Sequence, residues 1–109
     1  MIKTIEDVKK CCKKNNIPLK DIKFFIDKNR SKEPYSYSLY KDTKNGDYVF
    51  VINEGDFIFE RYRGDRERTA CRLAIEKMYS VMYYGDEHYT PKLSKNKIFH
   101  GKINKSEEM

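Results

Sequence analysis

No apolar stretch in this 109-residue chain approaches the roughly 18–20 residues that a helix needs to cross a bilayer, so no membrane-spanning helix is expected. The opening residues, MIKTIEDVKKCC, carry no apolar run of the kind that heads a secretory leader, and the expected location is the cytoplasm. Cysteine is scarce and odd in number: three residues, with Cys11 and Cys12 adjacent. That argues against a disulfide framework and for reduced thiols. Histidine is scarcer still, with only His88 and His100, both in the polar C-terminal third and neither with a clear partner. Neighbours on a helix point about 100° apart, so Cys11 and Cys12 are poorly placed to share a zinc ion, and no second ligand pair follows at finger spacing. A phosphate-cradling glycine loop, a serine elbow and an HExxH helix are all missing. Asp86, Glu87 and His88 form a polar cluster that reads as a loop after a helix. The expectation is a protein without catalytic residues, metal or cofactor.

What the chain has in quantity is charge and tyrosine. Charged residues make up 37% of it, and apolar residues still reach 39%, with nine Tyr and six Phe, enough for one folded core. The net charge of +6 is unevenly spread. Residues 1–30 hold nine basic and four acidic side chains, and 92–109 hold five and two, whereas the middle is slightly acidic. A single domain is expected over 1–91, followed by a lysine-rich, mobile tail over 92–109.

Local patterning places the elements. Thr4 and Asp7 make an approximate capping box for a helix over about 4–15, with Ile5, Val8 and Cys12 on its apolar stripe. IKFFID (22–27) reads as a strand and NRSKEP (29–34) as a loop. YSYSLY (35–40), YVFVIN (48–53) and FIFERY (57–62) read as a meander, turning at Lys44-Asn45-Gly46 and Glu54-Gly55-Asp56. Pairing Ile52 with Phe57 would put Tyr48, Phe50, Ile52, Phe57 and Phe59 on one core face, and Val49, Val51, Ile58 and Tyr62 on the other. Asp65 is the expected N-cap of a second helix reaching Tyr84, with Ala70, Cys71, Ala74, Met78, Val81 and Met82 at helical spacing. The fold class is therefore α+β: a three- or four-stranded antiparallel sheet packed against an N-terminal and a C-terminal helix.

Arginine marks the candidate site. Five of six arginines fall in RYRGDRERTACR: Arg61, Arg63, Arg66, Arg68 and Arg72. Guanidinium groups grip phosphates and carboxylates through paired hydrogen bonds, and the segment spans a strand-to-helix corner where backbone amides also face anions. Glu60, Asp65 and Glu67 interleave with them, so ion pairs on a solvated face are the competing reading. Tyr62 adds a stacking or hot-spot residue. Lys9 and Lys13 on the first helix extend the basic footprint. The expected partner is nucleic acid or an acidic protein surface.

The order helix, strand, loop, strands, helix resembles the double-stranded RNA-binding domain over residues 4–84, with an extra strand. The resemblance rests on Gly64 after the last strand, on Arg66 and Arg68 at a basic helix start, and on Ala70 and Ala74 facing the sheet. It implies that Arg66, Arg68 and Arg72 contact phosphates across a groove, with the first helix in the minor groove. Glu67 and Cys71 stand where that family carries lysines. In size and layout the chain is also similar to small bacterial immunity proteins and phage-encoded inhibitors, which implies occlusion of a toxin or nuclease by stoichiometric protein binding.

Overall fold

A computed structural model describes residues 1–91; the tail expected over 92–109, with His100, lies outside them. The elements are α1 (Ile5–Lys14), β1 (Phe24–Ile26), β2 (Ser36–Lys41), β3 (Tyr48–Asn53), β4 (Ile58–Gly64) and α2 (Glu67–Tyr84). The strands form one sheet in the order β1-β2-β3-β4, an α+β fold with both helices. β2, β3 and β4 are antiparallel, as patterning predicts. β1 instead runs parallel to β2, with Phe24 beside Tyr37 and Ile26 beside Leu39. The reason is the connection: 27–35 does not turn back tightly but passes over the sheet surface away from the helices, which lets the chain re-enter in the same direction.

The capping box forms as read from the sequence. Asp7 N–H donates to Thr4 Oγ1 at 3.1 Å, and Thr4 N–H donates back to Asp7 Oδ2 at 3.2 Å. Lys3 N–H also donates to that carboxylate, which holds the Asp7 acid below its ordinary range. α1 buries Ile5, Val8 and Cys12. Ile5 N–H donates to Glu67 Oε2 at 2.9 Å, and Cys12 Sγ lies 3.7 Å from Met78 Sδ. The start of α1 meets the start of α2, and its last turn meets α2 further along at Met78, so the two helices run side by side in the same direction. Beneath them Phe50, Leu39, Ile22 and Phe24 fill the core, with Phe24 stacked on Phe50 and Tyr37 at 5.9 and 5.3 Å.

The β3–β4 register differs from the expected one. Ile52 lies opposite Phe59, and the turn takes in Phe57, closed by Glu54 N–H donating to Phe57 O at 2.9 Å. Gly55 has φ of +90°, and a Cβ there would fall on the ring of Tyr35. The hairpin therefore needs a glycine at this point, for both its torsion and its space. A bulge at Arg61 comes next, since Val51 faces Glu60 while Phe50 faces Tyr62. Together these leave Phe57 exposed at the hairpin tip and bring Tyr62 against the core. Val49 and Val51, on the face away from the helices, are 0% and 4% exposed, so both faces of β3 are covered.

Candidate anion-binding surface

The corner where β4 becomes α2 is held by Tyr62. Its ring packs on the core, and its hydroxyl accepts from Arg66 N–H at 3.0 Å. This keeps the chain extended through Arg66, which becomes the N-cap in place of the expected Asp65, with φ −99° and ψ 96° and no side-chain cap. Asp65 lies one residue outside and does not serve. Glu67 turns its carboxylate to α1 instead. Among the described residues, nothing accepts from the first amides of α2, at Glu67, Arg68 and Thr69, so they face outward with the positive end of the helix dipole.

The five arginines do not converge. Arg66 and Arg68 are exposed on the first turn of α2. Among the described residues neither meets a carboxylate, and Arg68 Nη2 lies 3.5 Å from Met1 Sδ. Arg72, one turn on, pairs with Glu76 at 3.2 Å in the open, an interaction of on the order of 0–1 kcal/mol that a ligand can displace. Arg61 sits in the bulge and lines a shallow groove between β4 and α2 with Leu73 and Glu76.

Arg63 points to the opposite face and is fully engaged. Its Nε and Nη2 donate to Glu60 at 2.9 and 2.8 Å, and Nη1 donates to Asp42 at 3.0 Å and Asp47 at 3.3 Å. Glu60 is held below the usual carboxylate range by Arg63. Asp42 is lowered first by the Lys44 amide and then by Arg63. This guanidinium ties the β2–β3 turn to β4, directly beside the buried Val49.

Lys9 and Lys13 are elsewhere again. Both line a groove between α1 and β1, and Lys9 is bound to Asp27 at 2.8 Å, which raises its pKa. Of the eight residues read from the sequence, Tyr62, Arg66, Arg68 and Arg72 thus share one corner, Arg61 is adjacent to it, and Arg63, Lys9 and Lys13 are not part of it.

Other chemistry is sparse. Burial pushes the Cys12 thiol up to about 11 and Cys71 up to about 12, so neither is a thiolate at neutral pH. Among the described residues no three His, Cys, Asp or Glu side chains gather as metal ligands, and no helix is long and apolar enough to cross a membrane. Asp86, of the polar cluster after α2, is structural: it accepts the Tyr37 hydroxyl at 2.6 Å and the amides of His88 and Tyr89.

Sequence reasoning missed a cavity of about 320 Å³ beside Tyr37, walled by Tyr35 and Phe57 and rimmed by Glu54, Asp56 and Glu87. Its acids come from two segments some thirty residues apart, so no local motif announces it. No family model matches the chain, and none of the curated proteins or solved structures compared with it is significantly similar.

Proposed function

We propose that this protein is a non-catalytic binding module that grips a nucleic-acid backbone, with double-stranded RNA the first class to test, through the N-terminal turn of α2. One observation carries the reading: the helix start is uncapped, and the two arginines beside it, Arg66 and Arg68, are committed to no carboxylate among the described residues. Free amides, the helix dipole and two guanidinium groups all favour the same ligand, a phosphate. Arg72 joins once its exposed bond to Glu76 opens, and Arg61 flanks the site.

A footprint of two or three phosphates predicts that affinity falls roughly 10–40-fold between 50 and 200 mM salt. Fluorescence anisotropy with double-stranded RNA, single-stranded RNA and duplex DNA at those two salt concentrations tests it. Arg66→Ala with Arg68→Ala should weaken binding and flatten the salt dependence. No binding to any of the three at 50 mM would remove the proposal.

A second reading, a stoichiometric inhibitor or immunity protein, is favoured by the other end of β4. There Phe57 and Ile58 are 57% and 51% exposed at the hairpin tip, between Glu54, Asp56 and Glu60. An apolar knob in an acidic rim suits a basic protein surface, whereas the sequence pointed to an acidic one.

A further inference from the structure

We infer that the groove between α1 and β1 is a docking site for an extended, acidic peptide segment of a protein partner, which adds to the sheet as a strand beside β1. The first observation concerns the backbone. Tyr37 N–H donates to Lys23 O and Asp27 N–H donates to Leu39 O, so residues 23, 25 and 27 face β2, and the peptide groups of Phe24 and Ile26 face outward. The outward N–H of Phe24 is taken by Leu19 O at 2.9 Å. Phe24 C=O, Ile26 N–H and Ile26 C=O have no partner among the described residues. They form an acceptor–donor–acceptor row at strand spacing, which a second strand can complete.

The second observation is the chemistry around that row. The groove has a volume of about 570 Å³, and its floor is formed by half-buried Ile17 and Leu19 over the buried Cys12, Phe24 and Ile26. Its rim is basic: Lys13 from α1, Lys20 from the following loop and Lys28 just beyond β1. None of these three meets a carboxylate among the described residues, whereas Lys9 is already tied to Asp27. An apolar floor under three uncompensated ammonium groups selects a segment that alternates apolar and acidic side chains. One side of such a strand meets the floor and the other meets the rim. A nucleic acid would satisfy the lysines, but it has no main-chain ladder to offer the edge, and most of this floor is aliphatic instead of a flat stacking surface. The peptide groove and the phosphate site at α2 share no residues, so either can stand without the other.

The test is anisotropy of a fluorescein-labelled nonapeptide of alternating Glu and Val against the full chain. Its controls are the same peptide with Lys in place of Glu, the same peptide N-methylated at alternate residues, and a short RNA duplex. The Glu peptide should bind, and the Lys peptide should not. Alternate N-methylation should abolish binding with all charges kept, because it removes the strand's donors. The charge reversal Lys13→Glu with Lys20→Glu should weaken the Glu peptide by about tenfold or more and leave duplex binding within about twofold. Equal binding of the N-methylated peptide, or no effect of the charge reversal, overturns the inference. So does a duplex that loses more affinity than the peptide on charge reversal, since the groove would then belong to nucleic acid.

Discussion

On the helix side of the sheet, Phe50, Leu39 and Phe24 are sealed beneath Val8, Met78 and Val81. On the other side Val49 and Val51 are just as inaccessible, yet their surroundings are polar. Ser38 Oγ accepts from Arg30 N–H at 3.0 Å, and Ser36 Oγ donates to Glu33 O at 2.6 Å. Asn53 Nδ2 donates to Ser31 O at 2.7 Å, and its oxygen accepts from Gly55 N–H. The Arg63 cluster closes the far corner. One face is held by non-directional burial, about 25 cal/mol per Å², and the other by directed bonds worth about 1 kcal/mol each net. Two short strands can thus be covered on both sides without a second helical layer, because a loop with the right donors and acceptors takes its place.

That contrast can be broken by substitution. Phe50→Ala should have the largest effect, lowering unfolding free energy by about 3–5 kcal/mol in a urea titration, since it empties the centre of the helix side. Asn53→Ala should cost about 1–3 kcal/mol in the same titration, because it strands the Ser31 carbonyl and the Gly55 amide. A value for Asn53→Ala as large as that for Phe50→Ala would make the polar face the true core.

Arg63→Ala should act through pH. Asp42 and Glu60 have folded pKa values below their ordinary 3.8 and 4.5. A depressed carboxylate contributes stability that is present above its unfolded value and is lost as pH falls through the folded one. Wild type should therefore lose more stability than Arg63→Ala between pH 5 and pH 2.5, as read by thermal unfolding. Parallel curves would show that the cluster is only surface decoration. The smallest effect belongs to Arg66→Ala with Arg68→Ala, which should shift stability by less than about 0.5 kcal/mol while altering anion binding.

The parts legible from sequence were those fixed by neighbours in the chain. The Thr4–Asp7 box, the alternation of YSYSLY in β2 and the alanine and methionine spacing of α2 each encode their own element. The β3–β4 register was not legible, because its turn length depends on the Tyr35 ring lying over Gly55, twenty residues away. The arginine cluster misled for a similar reason. Arg63 is claimed by Asp42 and Asp47, 21 and 16 residues earlier, and the bulge at Arg61 re-aims the side chains after it. At the corner itself Tyr62, not the expected Asp65, sets where the helix begins. Parallel β1 was hidden as well: a three-residue strand carries no direction, and only the path of 27–35 supplies one.

The pairing of α1 with α2 also bears on how the chain is made. Ile5 waits for Glu67, 62 residues later, and Cys12 for Met78, 66 residues later. At a synthesis rate of about 5–20 residues per second, the first helix leaves the ribosome roughly 3–12 s before the surface it docks on. During that interval α1 can rest only on β1 and the residues that follow it, and its docking on α2 has to wait. The Thr4–Asp7 box needs only neighbours in the chain and can close during that interval, whereas the Ile5–Glu67 bond cannot.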